Sequence, residues 1–178
     1  MSRPLLRWLP ALVIASTVLY TMSVYPTLPA RMPTHWGING HPNAWSPREL
    51  GAWILPGMMT FLWLLFLVIP KVGVALDVVS VTTISFMAVV QRTMLHIALG
   101  RPVEMNTVIF TGLGILFIVL GLAMPHTTPN PYFGVRTRAT MSDPAAWARS
   151  NEKGGKIMVL AGFAMILVAL WYHYWRIG

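Results

Sequence analysis

Apolar residues in this chain come in long blocks, and the blocks are of membrane-crossing length. A transmembrane helix needs about 20 mostly apolar residues, within a range of roughly 17–25. Five stretches meet that requirement: 8–25, 52–70, 74–99, 107–124 and 157–175. The second contains the run FLWLLFLVI from Phe61 to Ile69, and the third is the most polar. The fifth closes on Trp171, Tyr172, Tyr174 and Trp175, an aromatic set suited to a membrane interface. The pattern predicts an all-α fold, a polytopic transmembrane helix bundle forming one integral membrane domain over 1–178. The first block follows Arg3 and Arg7 like a signal peptide, but the Tyr20–Ser23 region lacks a small-residue cleavage pattern, so an uncleaved helix is expected.

Composition agrees with the blocks. Of 178 residues, 56% are hydrophobic and only 10% charged, against about 25% charged in soluble domains. Cysteine is absent, which excludes disulfides, thiolate metal sites and a cysteine nucleophile. The formal net charge of +8 is scattered between apolar blocks rather than gathered on one face, which argues against nucleic acid and for anionic lipid headgroups. With the N-terminus cytoplasmic, eight basic residues lie inside (Arg3, Arg7, Lys71, Arg136, Arg138, Arg149, Lys153, Lys156) and five outside (Arg31, Arg48, Arg92, Arg101, Arg176). That bias favours an N-inside protein.

Two long connections carry the candidate chemistry. The outer one, Pro26 to Gly51, holds five prolines that forbid a continuous helix, and Asn39-Gly40 marks a turn. Trp36, Trp45 and Trp53 would anchor it as a compact cap. His35 and His41, with Glu49 and His96, raise the question of a metal, but their spacing matches no metal signature. Interfacial histidines bonded to nearby carbonyls are expected, and neither metal nor cofactor. On the third span Arg92 and His96 are four residues apart and share a face, with Ser85 on the same stripe. An ionisable pair within a span is a functional candidate; the plainer reading has Arg92 snorkelling to the interface towards Glu104 or a phosphate. Asp77 reads as a boundary residue.

The inner connection runs from Pro125 to Lys156. Ser142-Asp143-Pro144 reads as a helix start, with a short helix from Pro144 to about Asn151 stopped by Gly154. Gly134, Arg136, Thr137 and Arg138 form a basic, hydroxyl-bearing turn suited to an anion or to inner-leaflet lipid. Glycines at seven-residue spacing, Gly114 and Gly121 on the fourth span and Gly155 and Gly162 (then Ala169) on the fifth, read as helix-packing seams.

The segment Asn130-Pro-Tyr-Phe-Gly134-Val-Arg136-Thr137, followed by Trp147 and Asn151-Glu-Lys-Gly154, resembles the C-terminal signature of the SdpI family of bacterial membrane proteins. Leu28-Pro-Ala-Arg-Met-Pro33-Thr-His35-Trp36, with Gly40, resembles the domain of unknown function that accompanies it. The resemblance implies a multi-pass protein of the bacterial inner membrane, in a family whose founding member gives immunity to a secreted peptide toxin and helps to sense it. It points to Pro33, His35, Gly40, Asn130, Gly134, Arg136, Thr137, Trp147 and Asn151 as the residues that matter. The family layout has six spans where five are read here. Protection against a membrane-active peptide, or sensing of it, is the leading reading. An intramembrane enzyme using His35 or His96 with Arg92 or Arg136 comes second, and a small transporter third, since only the third span is polar enough and a pore would have to be built by homo-oligomers. None of the five acidic residues lies deep in a span, and no serine sits in a nucleophile motif.

Overall fold

A computed structural model describes residues 3–69 and 74–177. Pro70 and Lys71, which enter the second span and the count of basic residues, lie outside the described residues, as do the side chains of Arg3, Trp175 and Arg176. Five long helices appear: α1 (Arg3–Val24), α2 (Arg48–Val68), α3 (Val74–Ala98), α4 (Met105–Ala123) and α6 (Pro144–Ile177), with a short α5 (Arg138–Ser142) before the last. All five long helices are apolar and long enough to cross a membrane.

The helices form a row rather than a closed ring. Helices α1, α2 and α3 pack on one another, α4 lies against α3, and α6 lies against α4. Ile14, Met59 and Ile84, one from each of the first three helices, meet at mid-height. Leu12, Leu19, Phe61, Leu122, Leu160 and Leu167 all point outward. In water such surface would be hidden, because burial stabilises by roughly 25 cal/mol per Å²; in hydrocarbon it is already solvated. This is a polytopic helical membrane bundle.

The fifth span does not begin after a separate short helix. Asp143 caps the new helix, its Oδ1 accepting the Ala145 N–H at 2.8 Å, and Pro144 takes the first position as the sequence predicts. The helix then continues through Gly154 and Gly155 to Ile177, so the expected stop at Gly154 is wrong. The space beside Gly154 is filled by Met124 and Val135, and Gly155 backs onto the Gly121 carbonyl. Close tertiary packing offsets the cost of about 1 kcal/mol that a glycine imposes on a helix interior. The short helix of this connection is instead α5, a few residues upstream.

The proline-rich connection is also more ordered than its composition suggests. It folds as a β-hairpin, β1 (Arg31–Trp36) antiparallel to β2 (Pro42–Pro47), with irregular register between Pro33 and Trp36. Proline has no N–H to give the ladder, and such irregularities are where strands accommodate it. Gly40 turns the chain at φ 75°, as the Asn39-Gly40 pair predicts. The hairpin is seated by Met32, fully buried against Gly51, where a Cβ would stand 3.1 Å from the Met32 Cβ. Met32 joins Leu28, Ala52, Met94, Leu95 and Met105 in a cluster at this end of the bundle. At the opposite end Phe133 packs with Ala75, Val79 and Ala123.

Candidate functional site

The sequence candidates fall into three groups, and the helices hold them apart. The first is the hairpin. His35 and Trp36 lie on β1, where His35 Nδ1 meets the Asn43 side-chain oxygen at 2.5 Å and Trp36 packs on the cluster below. Among the described residues, no three His, Cys, Asp or Glu side chains gather as a metal would require. The turn is fastened from outside the hairpin, because Asn106 Nδ2 in the first turn of α4 donates to the carbonyls of Gly37 (3.3 Å) and Ile38 (2.9 Å). Arg48 secures the base: its backbone N–H reaches the Ala30 carbonyl at 2.9 Å, and its guanidinium lies over the Tyr25 ring at 4.7 Å. A rigid mount thus presents Ile38, 91% exposed, with Trp45 half exposed on β2. Asn106 gave no signal in the sequence, since its partners are carbonyls about 68 residues away. Asn106→Ala is expected to free the turn while leaving the bundle intact. Faster amide hydrogen exchange at residues 37–41 with an unchanged melting temperature would show it.

The second group lies below the hairpin. Arg92 and His96 do share a face of α3, and both meet Tyr20 of α1. The Arg92 guanidinium stacks over the Tyr20 ring at 4.1 Å, and Tyr20 Oη is 2.7 Å from His96 Nε2. Arg101 also reaches His96 Nε2, at 3.3 Å. Arg92 does not pair with Glu104, which accepts from Thr107 and lies 3.9 Å from His173. Ser85 does not join this group: it lines the groove between α3 and α4, whereas Arg92 lines that between α1 and α3. Beside Arg92, fully buried Gln91 donates to the Ala52 carbonyl at 2.8 Å and to Thr21 Oγ1 at 3.4 Å, tying three helices. Sequence reading passed over Gln91, although an uncharged polar residue within a span is a signal of interhelical bonding.

The third group is the signature segment at the far end. Asn130 is a local template: its Oδ1 accepts the N–H groups of Tyr132 and Phe133, both at 2.9 Å, and its Nδ2 donates to Thr128 and Phe133 carbonyls. Asn151 then clasps the segment to α6, its Oδ1 accepting from Val135 N at 2.8 Å and its Nδ2 donating to the Trp147 carbonyl at 3.0 Å. Trp147 is 2% exposed and its Nε1 donates to the Thr127 carbonyl at 2.8 Å. Gly134, at φ 120°, passes against the Asn151 and Trp147 side chains. Thr137 caps α5 in a reciprocal pair with Thr140, and Arg136 donates to the Pro131 carbonyl. The amides of Asn130 and Asn151, the Trp147 indole and the Thr137 and Thr140 hydroxyls are thus spent on the segment itself, while Arg136 and Arg138 remain exposed beside it. Arg136 stands at the opposite end from His96, so the two do not form one site.

Fold and site together define a polytopic helical membrane protein with a clamped hairpin at one end and a self-bonded signature at the other. Residues 126–177 match the SdpI/YfhL protein family, and residues 12–60 match a domain of unknown function, DUF1648. The chain is 26% identical over 163 residues to the immunity protein SdpI of Bacillus subtilis, covering 89% of this chain and 78% of that protein. The chain is therefore a multi-pass helical membrane protein that is similar to SdpI over most of its length. No solved structure matches it.

Proposed function

We propose that this protein protects the membrane that holds it against a membrane-active peptide, which it meets with the hairpin. One observation carries the reading: a large apolar side chain, Ile38, stands almost fully exposed on a turn that Asn106 and Arg48 keep from collapsing. Exposed apolar surface on a fixed mount favours docking, because little conformational freedom remains to be lost on binding. The similarity to a protein named for immunity points the same way. The signature end, held together by its own hydrogen bonds, serves as scaffold in this reading. In this reading the membrane is the bacterial inner membrane and the N-terminus is cytoplasmic, as the excess of basic residues on that side supports. The hairpin then faces outward, where a secreted peptide arrives.

The test is survival. A sensitive bacterium expressing the protein is challenged with a panel of secreted membrane-active peptides, and protection against at least one is expected. Ile38→Asp is expected to remove most of that protection at an unchanged membrane level, since a charge cannot enter an apolar contact cheaply. Survival equal to that of the empty strain across the panel overturns the proposal. As the chain has no cysteine, single cysteines at positions 38 and 138 report orientation cleanly. An impermeant maleimide is expected to label the first in intact cells and the second only after permeabilisation.

A further inference from the structure

The chain carries 13 basic and 5 acidic residues, so most of its cations have no carboxylate to pair with, and two such arginines meet at one place. Glu49 lies beside Arg48, Asp143 beside Arg149, Glu152 beside Lys156 and Glu104 beside His173. Asp77 is in the first turn of α3, at the end away from the hairpin. Among the described residues, neither Arg92 nor Arg101 has a carboxylate within 4 Å, and both touch the same Tyr20–His96 pair, one on each partner. Arg92 lies six residues before the end of α3, or about 9 Å along a helix axis. A cation at that depth is costly without a counter-charge. Stacking on Tyr20 holds the guanidinium plane but leaves its N–H edge able to form a bidentate pair.

Directly beside it α1 and α3 part into a groove of about 140 Å³ walled by Ser16, Thr17, Tyr20, Ala88, Val89 and Arg92. Ser16 and Ala88 each sit one turn before the polar residue of their helix, Tyr20 and Arg92, so small side chains extend the groove from the guanidinium by about one turn towards the middle of the helices. We propose that the two arginines and this groove form a binding site for one anionic phospholipid. Its phosphate is held by the Arg92 fork with Arg101 alongside, and the start of an acyl chain lies between Ser16 and Ala88. The charge excess calls for an anion from outside the chain, and the groove calls for an apolar tail joined to it. A free phosphate would leave the walls of Ala88 and Val89 uncovered. This site is independent of peptide protection and can stand or fall without it.

Native mass spectrometry of the purified full chain in nonionic detergent tests the proposal, with phosphatidylglycerol and phosphatidylcholine as probes. One phosphatidylglycerol is expected to be retained at roughly tenfold lower concentration than phosphatidylcholine, whose choline masks the phosphate charge. Arg92→Ala is expected to erase that preference, Arg101→Ala to weaken it, and Arg138→Ala on α5 to leave it unchanged. Should Arg92→Ala not fold, the lipid preference of the wild type and its weakening in Arg101→Ala carry the test. Equal retention of the two lipids overturns the site. An equal loss on Arg138→Ala does so too, since it would reveal diffuse attraction. Displacement of the lipid by millimolar inorganic phosphate would mean an oxyanion site without a lipid, and also overturns it.

Discussion

Gly121→Ala is expected to loosen α6 from the bundle and to lower the melting temperature in detergent far more than a methyl added at a glycine away from this crossing. Helices α4 and α6 cross on two glycine pairs. A Cβ at Gly121 would stand 2.5 Å from the Gly155 carbonyl oxygen, and one at Gly155 would strike that of Gly121 in return. One helical segment away, Gly114 and Gly162 repeat the arrangement at 2.7 and 2.5 Å. The obstacle in each case is backbone, which cannot rotate aside as a side chain can. Ordinary overpacking costs about 1–3 kcal/mol, and here the helices must separate, which gives up dispersion contacts along the whole seam. In lipid those contacts are the main attraction between helices, because the surrounding tails are as apolar as the helix surface. Two controls make the result specific. Gly57 has no atom within 4 Å of its would-be Cβ, so Gly57→Ala should melt like the parent. Gly112 meets only the Phe86 ring, which can turn, so Gly112→Ala should cost less than Gly121→Ala. Equal melting of all three variants would show that the crossing is not tight.

Trp147→Ala is expected to have the next largest effect, and to act on stability before it acts on function. The indole is buried under the signature segment, and removing such a ring costs roughly 3–5 kcal/mol. The Thr127 carbonyl also loses its donor. Gly134→Ala should fail in a related way, since it combines a left-handed backbone with a Cβ only 2.5 Å from the Asn151 Oδ1. Asn151→Asp provides the finer probe: it keeps the acceptor for Val135 N–H but replaces the donor to the Trp147 carbonyl with a negative oxygen. Orphaning a buried group in this manner costs about 1–3 kcal/mol. Thermal melting together with limited proteolysis of residues 126–143 checks all three. If these variants melt like the parent and yet lose protection, the signature would be contacting a ligand, and its role as scaffold would be wrong.

How much of this was legible beforehand depends on the range of the interaction. The spans could be read because each is a contiguous run whose transfer into hydrocarbon is decided residue by residue. The cap of α6 could be read at Asp143-Pro144, and the hairpin turn at Asn39-Gly40, because caps and turns are settled within a few residues. The glycine seams were visible as a spacing on each helix separately. The hairpin strands were not legible, because Pro33 and Pro42 hide the alternation of a strand and the pairing is fixed by where Met32 seats on Gly51. The run of α6 through Gly154 was misread for a similar reason. A glycine is a local stop signal, but Met124 and Val135 pack against it from other parts of the chain. The meeting of Tyr20 with Arg92 and His96 was equally out of sight, since the two helices are brought together only by the bundle.

The amino-acid sequence alone therefore yielded the class of protein, the helices long and apolar enough to cross a membrane, and several of the short segments that turn or cap. Those outcomes depend on composition and on neighbours a few positions away. The tertiary structure decided which glycines face one another, that the signature spends its amide, indole and hydroxyl groups on itself, and that two arginines converge on one tyrosine–histidine pair. The glycine pairs and the arginine meeting rest on atoms dozens of residues apart, and the clasp of the signature on bonds that span 16 and 20 residues, distances that no spacing along the chain encodes.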